Sequence, residues 1–107
     1  MEYEVNGNNL VILLPEEIDH HNLRPLQQDT DQIIKEYGIR RIVFDFSNVT
    51  FMDSSGIGGI LGRYKRMREM GGDIVICGAG RRIARILRMS GIEKIAGICA
   101  DKAEALK

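Results

Sequence analysis

Apolar and polar positions change period several times along the chain, and each change marks an element. In "YEVNGNNLVILL" two short apolar runs flank Asn6-Gly7-Asn8-Asn9, the residue types of a tight hairpin turn, so two antiparallel strands are expected first. After "PEEIDHH", Leu26, Ile33, Ile34 and Tyr37 recur at helical spacing. Asn22 is expected to cap this helix, Pro25 fits only its first turn, and Gly38 closes it. "RRIVFDF" is a nearly continuous apolar run, the pattern of a strand covered on both faces. Ile57, Ile60, Leu61, Tyr64 and Met67 then return to helical spacing, up to Gly71-Gly72.

"DIVIC" predicts another covered strand. "RRIARILRMSG" predicts a helix with Ile83, Ile86 and Leu87 inward and Gly91 as its stop. "EKIAGIC" reads as a last strand, and "DKAEALK" as a short helix capped by Ala100 or Asp101. Strands alternating with helices over short loops give an α/β fold, a mixed and mostly parallel sheet with about four helices. At 107 residues with no linker or repeat, residues 1–107 are expected to form one domain.

Composition narrows the function classes. The longest aliphatic run, Leu10 to Leu14, is too short for a membrane helix, and "MEYEVNG" carries no secretory signal, so no membrane partner and a cytoplasmic location are expected. Cys77 and Cys99 each follow an apolar run without metal-ligand spacing, which predicts buried free thiols in a reducing compartment and no metal. The formal net charge is zero, but it is unevenly spread. Residues 1–31 hold seven acids against Arg24. Residues 61–90 hold eight basic side chains against Glu69 and Asp73. One face is therefore suited to an acidic partner. Arg81, Arg85 and Arg88 share a helix face; zero net charge and the lack of nearby aromatics argue for a solvated face rather than direct nucleic-acid binding. Met52, Met67, Met70 and Met89 read as core-filling or partner-facing positions.

The candidate chemistry concentrates in "FMDSSGIGG", Phe51 to Gly59. A hydrolase elbow needs glycine two residues before its serine and a triad histidine later in the chain; here the histidines, His20 and His21, come early. Two histidines without a third ligand do not make a metal site either. "GIGGILG" has Leu61, and "GAGRRIA" has Ile83, where a dinucleotide fingerprint needs its third glycine, so no cofactor is expected. Asp53 or Ser54 can cap the helix, worth about 1 kcal/mol. Capping leaves the glycines unexplained, since each costs roughly 1 kcal/mol inside a helix, and points to a surface that another backbone approaches. A phosphate on Ser54 would sit at a helix N-terminus, which tolerates it. It would add a charge of about −1.5 to −2 beside Asp53. Like charges about 5 Å apart repel by several kcal/mol at an effective dielectric near 20, and about 1.4 kcal/mol changes affinity tenfold.

"FMDSSGIGGILGRYKRMREMGGDIVIC", with "EIDHHN" before it and "RMSGIEKI" after it, resembles the STAS-domain anti-sigma factor antagonists (anti-anti-sigma factors) over nearly the whole chain. The D-S-S-G-[IL]-G element is the most specific part, and "LGRYK" and "DHH" point to the sporulation branch. The resemblance implies a non-enzymatic regulator of transcription. Its unphosphorylated form binds an anti-sigma factor that is a serine protein kinase, and so frees the sigma factor. Phosphorylation of Ser54 by that kinase ends binding, and a serine phosphatase resets the switch. Asp19 matches an acidic position at the partner interface, with His20 beside it; Asp53, Ser55, Gly56, Ile57 and Gly58 complete the expected partner-binding set. A monomer or weak dimer is expected. The alternative is a STAS scaffold subunit of a larger signalling assembly. Pro15-Glu16, the arginines of the third helix and the early stop after "EALK" depart from the family pattern.

Overall fold

The computed structural model describes all residues 1–107. Strands β1 (Glu2–Asn6) and β2 (Asn9–Leu13) form the expected hairpin, with Gly7 at φ 60° in the turn. β3 (Glu17–Ile18) leads into α1 (His20–Tyr37), then β4 (Arg41–Asp45), β5 (Phe51–Met52), α2 (Ser54–Glu69), β6 (Asp73–Cys77) and α3 (Arg81–Ser90). A 3-10 turn over Ile92–Lys94, β7 (Gly97–Cys99) and α4 (Lys102–Ala105) complete the chain. The main sheet has the order β1-β2-β4-β6-β7; only the β1–β2 pair is antiparallel. The α/β expectation of a mixed, mostly parallel sheet with four helices holds.

Alternation along the strands creates two unequal faces. Leu10, Ile12, Ile42, Phe44, Ile74 and Ile76 point to the side packed by α1, α2 and α3, where the large core lies. Val11, Val43, Val75 and Cys77 point to the other side, where α4 covers them through Ala105. Burial, with some help from Asp45, pushes the Cys77 thiol up to about 11. Cys99 on the edge strand is only half-buried, so the expectation of two buried thiols holds for Cys77 alone.

Two boundaries differ from the sequence reading, and a third is settled. Asp19, not Asn22, caps α1, and Asn22 supplies the backbone N–H that Asp19 accepts, so the helix starts earlier than expected and Pro25 lies inside it, past the first turn. The residues Glu93 to Ala96 do not join the last strand; Gly91 turns left-handed at φ 83° and feeds a 3-10 turn that buries Ile92. Of the two caps expected for α4, Asp101 is the one that serves, accepting from the Glu104 N–H.

Candidate functional site

Because β2, β4, β6 and β7 run parallel and every following helix returns, α1, α2 and α3 all begin at the carboxyl edge of the sheet. Such edges are where α/β folds present their sites. A second, two-stranded sheet of β3 and β5 sits there, pairing Glu17 with Phe51 and Ile18 with Met52. Thr50 and Phe51 donate their N–H groups to the Glu16 carbonyl, and Asp53 donates to Ile18. "EID" and "FMD" are thereby locked side by side, so the residues immediately after the pairing, Asp19 and Asp53, occupy equivalent places.

Both aspartates do the same job. Asp19 Oδ1 accepts from the Asn22 N–H at 2.9 Å, and Asp53 Oδ1 accepts from the Gly56 N–H at 3.1 Å. Each satisfies a donor that the first helical turn leaves unpaired. Each capping carboxylate is half-buried and anchored. The next side chains, His20 and His21 after Asp19, and Ser54 and Ser55 after Asp53, are exposed. The His20 and His21 rings meet edge-on with centroids 6.4 Å apart. The paired sheet thus sets a serine pair and a histidine pair on one rim, each at the positive end of a helix.

The glycines of α2 divide by what surrounds them. Gly56 is buried, and a Cβ there would lie 2.8 Å from the Ile18 and Met52 side chains and 3.0 Å from the Ile18 carbonyl oxygen. It serves the packing of α2 onto the β3–β5 pair and is out of a partner's reach, which corrects its place among the expected contact residues. Gly59 lets α1 approach, since its Cβ would meet Leu23 Cδ1 at 2.6 Å. Gly58 and Gly62 are exposed, and a Cβ added to either would meet nothing within 4 Å. Ile57 is half-buried and packs on the core.

Between α1 and α2 lies a groove of about 300 Å³, floored by Gly58, Gly59 and Gly62 and walled by His20, Arg24, Gln27, Ser55 and Arg63. Arg63 lies in the buried stripe of α2, only 5% exposed. Its Nη1 donates to Asp31 at 2.6 Å and to the Thr30 hydroxyl at 3.2 Å, and that hydroxyl in turn donates to the Leu26 carbonyl. The charge in the helix interface is thus paired, as a buried charge must be. Counting Arg63 with the surface basic residues misses this. Its spacing from Ile60 and Met67 at three and four residues is the signal in the sequence, while Arg24, Gln27 and Gly62 join the groove only through the helix pairing.

The sequence profile of the STAS domain matches residues 1–105. The anti-sigma F factor antagonist of Paenibacillus polymyxa is 37% identical over 106 residues, which is 99% of this chain and 91% of that protein. Among solved structures, the anti-sigma factor antagonist SpoIIAA in its unphosphorylated form matches with a TM-score of 0.79 at 23% identity, covering 98% of this chain and 92% of that one. The Bacillus cell fate determinant SpoIIAA in the phosphorylated form matches with a TM-score of 0.77 at 25% identity, covering 98% and 95%.

Proposed function

The chain belongs to the STAS domain family, and from that premise we propose that it is an anti-sigma factor antagonist whose hold on a serine-kinase anti-sigma factor ends when that kinase phosphorylates Ser54. The observation that carries the reading is the contrast at the start of α2. Asp53 is held in place by its capping bond, while the next side chain, Ser54, is exposed. A kinase can reach that hydroxyl without unfolding anything. The product phosphate would lie over unpaired N–H groups at the positive helix end, so the helix would survive the modification.

The switch then works on the partner rather than on the fold. Unmodified, the rim formed by Asp19, His20, Ser54, Ser55 and Gly58 lies beside an open glycine floor against which a partner can dock closely. Phosphorylated, it carries up to two more negative charges beside Asp53. Solvent screens an exposed phosphate, yet a tenfold loss of affinity needs only about 1.4 kcal/mol of repulsion and lost contact. Removal of the phosphate by a serine phosphatase would restore docking. Sigma factor F is the natural beneficiary, given the anti-sigma F factor antagonist of Paenibacillus polymyxa among the relatives.

The test is to incubate the full chain with its cognate anti-sigma kinase and ATP and to map phosphate by mass spectrometry. A single phosphate on Ser54 is expected. Phosphate on Ser55 alone, or none, contradicts the proposal.

A further inference from the structure

From the third helix and the open edge of the sheet, we infer that α3 and β7 form a second docking surface, separate from the Ser54 rim, for an acidic polypeptide segment with an apolar anchor residue. Three features meet there. Arg81, Arg85 and Arg88 project along the outer side of α3, all exposed. No carboxylate lies within salt-bridge distance of Arg81, Arg82 or Arg85; Arg88 alone has one, Glu93, at 3.8 Å across a solvent-exposed gap. Arg41, Arg63 and Lys102, by contrast, each hold an acid at 3.0 Å or closer. Arg81 and Arg82 also occupy the first turn of a helix that has neither an acidic residue there nor a side-chain cap. Cations at that end oppose the helix dipole, so the fold gains nothing from them.

Beside the stripe lies an apolar cleft of about 160 Å³, lined mainly by Ile76, Ala79, Ala84, Leu87 and Ile98, with Arg88 and its partner Glu93 at the border, so the net positive charge comes from the neighbouring Arg81 and Arg85. Ile98 is 53% exposed, so apolar surface continues from the cleft onto the edge strand. The third feature is β7 itself, an edge strand paired only with β6, whose outer side is free to accept an extended segment. Apolar cleft, cationic border and free strand edge together match an extended acidic chain that buries one apolar side chain. Charge complementarity selects that occupant, and it also keeps it off the α2 rim, where Asp53 and a phosphorylated Ser54 would repel it.

The experiment pans a random peptide library on the full chain and measures the enriched peptides by fluorescence anisotropy. Expected are Asp- and Glu-rich peptides with an aliphatic or aromatic anchor. Their affinity should fall at least about tenfold for the Arg81→Glu, Arg85→Glu, Arg88→Glu triple variant, and should be unchanged for Ser54→Asp, which separates this surface from the switch. All three arginines are exposed, so the variant should fold, and its unchanged circular dichroism would show it. Ile98→Asp supplies an independent variant and should weaken the same peptides. Enriched peptides without acidic bias, or equal binding to the triple variant, would overturn the inference. So would tighter, arginine-dependent binding of phosphatidylserine vesicles or of a DNA duplex than of any selected peptide.

Discussion

The two sides of α2 obey different rules. Its inner stripe, Gly56, Ile60, Arg63 and Met67, is buried, and every member answers to something in the chain. Gly56 makes room for Ile18 and Met52, and Arg63 is neutralised by Asp31. Its outer side, with Ser54, Gly58, Leu61 and Gly62, is exposed, and the glycines there answer to nothing within 4 Å. A glycine inside a helix weakens it by roughly 1 kcal/mol relative to alanine. Where the fold does not require that sacrifice, the proposed docking of a partner supplies a reason for it. The contrast separates residues that the fold requires from residues that it leaves free for the proposed recognition, on a single helix.

Mutations can break this contrast in order of effect. Asp31→Ala should cost the most, about 2 kcal/mol, because it leaves the Arg63 guanidinium in the α1–α2 interface with only the Thr30 hydroxyl. The half-exposed Asp31 side keeps the loss below that of a fully buried pair. Arg63→Met, which removes the charge and keeps an apolar stem, should stay within about 1 kcal/mol of the parent. Urea titrations of both read the difference; equal losses would mean that the pairing is unimportant. Gly56→Ala should destabilise by about 1–2 kcal/mol, the overpacking against the Ile18 carbonyl outweighing the gain in helix propensity. Gly58→Ala and Gly62→Ala should reverse the sign, raising stability by about 0.5–1 kcal/mol each while weakening anti-sigma binding. A thermal melt and a binding isotherm on each variant check both halves. If the outer substitutions destabilise, or stabilise without touching affinity, the recognition argument for the outer face fails.

Most elements are legible in the sequence because periodicity is strong where cores are continuous. "RIVFD" and "DIVIC" are buried centre strands, and Gly38 and Gly91 end their helices in left-handed conformations. The β3–β5 pair is not legible: two residues per strand show no alternation, and their pairing joins segments more than thirty positions apart in the chain. The cap of α1 is hidden with it. Only when "EID" and "FMD" lie side by side does Asp19 take the same capping role as Asp53. The last strand is overextended in the sequence reading because "EKIA" has the same apolar spacing in a strand or a tight 3-10 turn. Within the candidate site, Ser54 and its neighbours are readable from the motif. The groove is not, since Arg24 and Gln27 reach it from α1.

The most direct measurement is the affinity of the full chain for the serine-kinase anti-sigma factor that the proposed function requires, by calorimetry, with Ser54 unmodified and stoichiometrically phosphorylated. The phosphorylated chain is expected to bind at least about tenfold more weakly, with an unchanged circular dichroism spectrum. Part of that loss should be recovered as pH falls through about 6 and the phosphate takes up its second proton. Equal affinities for the two forms, or a phosphorylated chain that has lost its native spectrum, would contradict a switch that acts at the surface of an unaltered fold.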